Sequence, residues 1–273
     1  MNGSQDHSLA NIFTLIQEGN SPHTVHIPDN WLQGRTAFGG LTAALGVNAM
    51  MRQNPSGAPL KSLLVSFVGP LGAGAATIDT KILRRGKSVT QIVADVKTGT
   101  QTAAHIVGTF GTGRNTSQQH VPAYSHADQN RLDFPPMDTA ALAQADIIPA
   151  FLANFDIHWN GKGIPQSGTK DAHLGKWVQL KENMRDYMAE RLVMLADVPP
   201  PLMMSHYTDP IMASSLTWSL EFLQPPADIV GDWHYLDYRL EAAAEGYSVQ
   251  SGLIFDESGT LVAMSRQNMV YFE

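Results

Sequence analysis

Between residues 60 and 112 apolar and polar positions alternate in four successive runs, and the same four-run pattern returns between 214 and 272. Alternation with a period of two predicts β-strands, because successive side chains leave opposite faces of an extended chain. The runs place strands near 60–69, 74–84, 87–98 and 102–112, and again near 214–223, 232–244, 247–256 and 260–272. Thr98-Gly99 supplies the turn between the last two strands of the first set. Ahead of each set the period changes. FGG at 38–40 opens LTAALGVNAMMRQ, and residues 184–197 end in LVMLAD; both predict helices. Ala43, Ala44, Gly46 and Ala49 in the first let neighbouring backbone approach on more than one side, as suits a helix wrapped by a sheet. Residues 22–33 read as a short strand pair, FDIHWNGK and HLGKWVQLK as strands, and 113–150 as a crossover with a short Ala-rich helix near 139–145. From 232 to 242 both faces mix aromatic and polar side chains, so the alternation there does not identify the buried one.

The two sets are copies. Gly86 matches Gly246 and Gly99 matches Gly259, both 160 positions apart, while Phe67 matches Phe222 and Pro70 matches Pro225 at 155. The connection from Pro225 to Gly246 is five residues longer than its counterpart. A duplication of this length predicts two versions of one small β-rich domain rather than a short-period solenoid. The expected division is an N-terminal domain at 1–113, a linker at 114–150 and a C-terminal domain at 151–273. A long helix followed by an antiparallel meander, twice over, is an α+β double hotdog.

Composition narrows the function. The chain has 273 residues, 43% hydrophobic and 16% charged, with a formal net charge of −7. Scattered Lys and Arg in an acidic chain argue against nucleic acid as a partner. Zero cysteines exclude disulfides, thiolate metal sites and a Cys nucleophile. The start MNGSQDHSLANIF lacks signal-peptide regions, and the uncharged run 36–51 is too short to span a bilayer, so a soluble cytoplasmic protein without membrane insertion is expected. Exposed sheet faces and edges predict a homo-oligomer, a dimer or larger. No G-x-S-x-G elbow, P-loop or strand-borne G-x-G-x-x-G is present, which removes hydrolase-elbow, nucleotide-hydrolase and dinucleotide-fold readings. The ten histidines show no metal-ligand spacing, and no metal or cofactor is expected.

The copies differ where chemistry belongs. Laying Leu45-Gly46-Val47 on Met194-Leu195-Ala196 sets Asn48 against Asp197, a carboxylate at the end of an apolar helix, where desolvation and the helix dipole both raise its pKa. At the offset of 160 Val107 becomes Gln267, and at 155 Leu60 becomes Ser215. Three polar replacements in one copy predict one active site per chain.

GRTAFGG (34–40), SFVGP (66–70), LRRGKS (83–88), LAD (195–197), SSLTWSLEF (214–222) and GTLVAMSRQ (259–267) together resemble the acyl-CoA thioesterase II family over nearly the whole chain. The resemblance implies hydrolysis of an acyl-CoA to a free acid and coenzyme A, in fatty acid metabolism, by a water held between an Asp, a Thr or Ser, and a Gln. These roles fall on Asp197, Ser215 and Gln267. Two departures stand out: Val198-Pro199-Pro200-Pro201 follows the Asp where the family has an aromatic residue, and Ser215 replaces the usual Thr, with Thr217 two positions on. Gly39 and Gly40 at a helix start are candidate oxyanion donors, Thr217 and Trp218 candidate substrate contacts, and Arg84, Arg85 and Lys87 candidate ligands for coenzyme A phosphates. A non-catalytic acyl-thioester binding protein and a hotdog enoyl-thioester hydratase are the alternatives. The hydratase needs His234 or His105 beside Asp197.

Overall fold

The computed structural model describes residues 8–16, 21–118, 120, 124–126 and 129–273. The first residues of the amino-terminal stretch and parts of the expected linker lie outside the described residues. In chain order the elements are α1 (Leu9–Thr14), β1 (His23–Ile27), a hairpin of β2 (Leu32–Gln33) and β3 (Thr36–Ala37), α2 (Gly39–Gln53), and a meander of β4 (Leu60–Phe67), β5 (Gly74–Arg85), β6 (Val89–Thr98) and β7 (Gln101–Gly111). After the crossover come β8 (Pro136–Met137), α3 (Thr139–Gln144), β9 (Phe155–Trp159), β10 (His173–Leu180), α4 (Met188–Ala196), β11 (Met212–Phe222), β12 (His234–Ala244), β13 (Tyr247–Phe255) and β14 (Leu261–Phe272).

All the strands except β2 and β3 form one antiparallel 12-stranded sheet in the order β1-β5-β6-β7-β4-β11-β14-β13-β12-β10-β9-β8. Read outward from the centre, β4-β7-β6-β5-β1 mirrors β11-β14-β13-β12-β10, so the duplication has become a pseudo-two-fold axis between β4 and β11. Leu64 pairs with Ser219, and these are equivalents at the offset of 155. The pairs on either side, Ser62 with Glu221 and Ser66 with Thr217, exchange under the same operation. Even the bulges repeat: β4 slips register between Leu60 and Ser62, and β11 between Ser215 and Thr217. The chain is thus the α+β double hotdog, with α2 and α4 packed together against one face of the shared sheet.

Two local readings change, and one helix was not foreseen. The two strands expected to pair within 22–33 do not pair with each other: β1 pairs with β5 and β2 with β3; Pro28, with no backbone N–H, ends β1, and Asp29–Trp31 turn as a 3₁₀ helix. The second helix begins at Met188 rather than 184, because Asn183 Oδ1 accepts from the Arg185 N–H and Arg185–Tyr187 form a 3₁₀ turn. The helix α1 carries no long periodic signal. Its first turn is capped from far away, with the Glu182 carboxylate accepting from the Leu9 and Ala10 amides at 2.8 and 2.9 Å.

The ambiguous strand β12 is covered on both faces. His234, Leu236 and Tyr238 point to the helices and are buried. Tyr235 points the other way, where Phe134 from the crossover joins Trp177, Phe255 and Leu261 in a second apolar cluster. The Gln129 carbonyl and side chain accept from Trp177 Nε1 and the Tyr235 hydroxyl, so the aromatic residues of the outer face have both apolar cover and polar partners. A strand buried on both sides cannot show a clean alternation.

Candidate active site

Three prolines after Val198 end α4, and Asp197 is its C-cap. The Tyr238 hydroxyl donates to the Ala196 carbonyl, satisfying one of the acceptors a helix end leaves open. The carboxy-terminal end of α4 meets the amino-terminal end of α2 with almost no space between them. A Cβ on Gly39 would lie 2.8 Å from Asp197 Oδ2, and one on Gly40 3.1 Å from Asp197 Cβ. The two glycines therefore make room for the carboxylate. The positive end of α2 also offsets the unfavourable dipole of α4.

Asp197 accepts a 2.5 Å hydrogen bond from Gln267 Nε2 on Oδ1. Burial pushes its pKa from 3.8 up to about 7, against the Gln267 amide and the Gly40 N–H, which both favour the ionised form. The residue keeps some solvent exposure, yet protein crowds the carboxyl closely enough for desolvation to win. A carboxylate that ionises near neutrality with one oxygen held by an amide is suited to remove a proton from water.

Gln267 is buried on β14 between Trp218 of β11 and Gln250 of β13, its cross-strand neighbours. Side chains directly opposite in an antiparallel pair share a face. Trp218 is itself buried and donates to Ser265 Oγ at 2.9 Å, so its ring forms a fixed wall beside Gln267. The bulge in β11 decides between the two hydroxyls. Ser215 pairs with Met269, on the face that carries Gln267, whereas Thr217 pairs with Asn268 on the opposite face. Thr217 is exposed and lines an outer groove with Leu64, Ser66 and His105. It is not a contact for substrate at Asp197, because the extra residue at the bulge turns it outward.

The cationic hairpin does not join this site either. Arg84, Arg85 and Lys87 are exposed at the β5–β6 turn, where Arg84 and Lys87 share a depression with Gln91 and Arg114. Phe67 packs at Gly39, but Gly108 packs at Met50, so the hairpin beside Gly111 lies at the far end of α2, a helix about 22 Å long. Nor does either candidate histidine reach Asp197. His105 is on the outer face, 2.6 Å from Asp95, and the His234 ring faces Asp232 and Arg191. Among the described residues no group of three or more His, Asp or Glu is arranged to hold a metal. No helix among them is long and apolar enough to cross a membrane.

Gln250 is the polar site neighbour the sequence reading passed over. The turn residues Ser258-Gly259 predict a β13–β14 hairpin that sets 250 opposite 267, so its placement was available from the spacing.

The acyl-CoA thioesterase N-terminal domain matches residues 27–111 and the acyl-CoA thioesterase C-terminal domain matches residues 127–271. Among curated proteins no sequence matches the chain. In fold it is similar to a putative thioesterase II from Thermobifida fusca, at 16% identity, a TM-score of 0.81 and 97% coverage of both chains. A hot dog fold protein of unknown function from Alicyclobacillus acidocaldarius aligns with a TM-score of 0.80 at 18% identity over 96% of this chain and 98% of its own. An acyl-CoA thioesterase II from Mycobacterium marinum aligns with a TM-score of 0.69 at 17% identity over 97% and 98%. With both domains matched in order over one continuous double hotdog, the chain belongs to the acyl-CoA thioesterase family and is a thioester hydrolase.

Proposed function

We propose that the protein hydrolyses an acyl-CoA through a water activated by Asp197. The observation that carries the reading is the pairing of a carboxyl ionising at about 7 with the Gln267 amide 2.5 Å away, at the start of a helix whose first amides have no intrahelical acceptor. Asp197 takes a proton from the water as its oxygen attacks the thioester carbonyl. Gln267 and Ser215 aim that water, and the Gly39 amide at the positive end of α2 receives the developing oxyanion. The tetrahedral intermediate collapses by breaking the C–S bond, and the proton held on Asp197 passes to the departing thiolate. The products are a carboxylic acid and coenzyme A, with no cofactor in the cycle. Trp218, Met194 and Met50, all buried, are the large side chains proposed to limit acyl length.

The test is coenzyme A release from acyl-CoAs of graded length, read by free-thiol detection, for wild type and Asp197→Asn. The protein contributes no thiol background, since it has no cysteine. The reading expects kcat to fall roughly 10²- to 10⁴-fold in the variant, the usual worth of a positioned base. Wild-type turnover by Asp197→Asn overturns it.

A further inference from the structure

A glutamine beside a carboxylate helps only if its NH₂ faces the acid. Turned over, its carbonyl repels the ionised form and raises the pKa further. Something must therefore choose the rotamer of Gln267. The Leu202 backbone N–H, 3.1 Å from Gln250 Oε1, is a donor in every protonation state. It compels Gln250 to present its oxygen there and leaves Nε2 free. Gln250 Nε2 then donates to Gln267 Oε1 at 3.2 Å. With its oxygen taken, Gln267 has only Nε2 left for Asp197, the 2.5 Å contact already described. Each amide orientation follows from the one before it, starting from a group that cannot reverse. Gln250 and Gln267 are both 2% exposed, so water does not compete for these bonds.

We propose that Gln250 is a positioning residue of the thioesterase site, which transmits the polarity of the Leu202 amide to Gln267 and so fixes its donor side toward Asp197. The inference rests on the hydrolytic role proposed for Asp197. Leu202 follows the three prolines that end α4, so the peptide that sets the polarity belongs to the same rigid turn that sets the Asp197 backbone. Gln250 touches neither water nor substrate in this arrangement. Its effect is to remove the alternative in which Gln267 opposes ionisation of the base.

The experiment compares Gln250→Glu, Gln250→Met and Asp197→Asn with wild type, reading kcat, KM, the pH dependence of kcat and the melting temperature. The carboxylate introduced by Gln250→Glu accepts from the Leu202 amide but has nothing to donate, so Gln267 turns to serve it and its carbonyl meets Asp197. The expected result is a loss of about tenfold or more in kcat, KM within about twofold, and an acid limb displaced to higher pH. Gln250→Met is nearly isosteric and makes neither bond. It should show a smaller kcat loss with the limb displaced in the same direction. Lower melting temperatures with wild-type kcat and an unmoved acid limb in both variants would reduce Gln250 to a structural strand residue and overturn the proposal. If Asp197→Asn itself retains wild-type turnover, the underlying reading has failed and this one with it, so the two failures are distinguishable in one data set.

Discussion

The two ends of the α2–α4 pair are the same place in the two copies, and they have opposite chemistry. At one end Asp197 closes α4 against Gly39 and Gly40. At the other Asn48, its counterpart, lies late in α2 and donates from Nδ2 to Glu190 Oε1 at 2.6 Å, close to the start of α4. The helices run antiparallel, and each crossing carries one carboxyl and one side-chain amide. The difference lies in exposure. Asp197 has a side-chain donor and a backbone donor, and burial leaves it ionising at about 7. Glu190 has matching donors, the Asn48 amide and its own backbone N–H, with Arg52 as a nearby cation, but it is 1% exposed and desolvation raises its pKa. Glu190 Oε2 and Asn48 Oδ1 are both buried without a partner. With comparable donors at the two crossings, what separates them is access: the carboxyl proposed as the base keeps some contact with solvent, and Glu190 has almost none.

The largest break in that comparison is on the active side. Asp197→Asn makes the two ends alike, and the loss of roughly 10²- to 10⁴-fold in kcat expected above should appear on every acyl-CoA the wild type turns over. The wild-type pH profile sharpens the same point. The proposed base must be ionised to act, so activity should rise with pH and reach half of its plateau near 7, the value at which burial holds this group. A half-point near 4 would mean the carboxylate is better solvated than its surroundings imply.

Converting the silent end should fail. Asn48→Asp places a second carboxyl against Glu190, where two buried acids must share a proton or pay for an uncompensated charge. We expect a loss of roughly 3 kcal/mol of stability by denaturant titration. In an Asp197→Asn background no hydrolysis should return, since the strand register sets Gly108, opposite Leu63, in the place that Gln267 holds opposite Trp218, and a glycine has no side-chain amide to offer. Hydrolysis by the double variant would show that the carboxyl alone suffices.

Much of this was readable in the chain. The offsets of 155 and 160 located the copies, and Gln267 and Ser215, picked out by comparing them, lie on one face of the sheet; the register corrects the second offset to 159 on the last strand, so that Gly108, not Val107, is the counterpart of Gln267. Asp197 was legible because an acid ending an apolar helix breaks the pattern around it. Less could be read where a residue's partner is remote in sequence. Glu182 caps a helix 172 residues away, and Glu190 looks like an ordinary polar position in a helix until Asn48 is packed onto it. Thr217 could not be turned outward without knowing that β11 bulges, because a one-residue slip exchanges the faces of a strand. The cationic hairpin was locally suggestive, and only the direction of α2 shows that it stands at the wrong end.

The smallest effect expected is on stability, and it tests the silent end directly. A raised carboxyl pKa means that the folded state binds the Glu190 proton more tightly than the unfolded chain does. Stability from this group is therefore full below the ordinary value of 4.5 and declines as pH rises above it. Glu190 Oε2 and Asn48 Oδ1 both lack a donor, and a protonated Glu190 has an O–H to give. Glu190→Gln supplies that donor at every pH. The variant should match wild type near pH 4 and exceed it at pH 8 by about 1 kcal/mol, the ordinary net worth of one hydrogen bond, with kcat unchanged because the active end is untouched. Melting curves across that range decide it: a variant less stable than wild type at both ends would mean that Glu190 is held as an anion, and the contrast between the two ends of the helix pair would then need another cause.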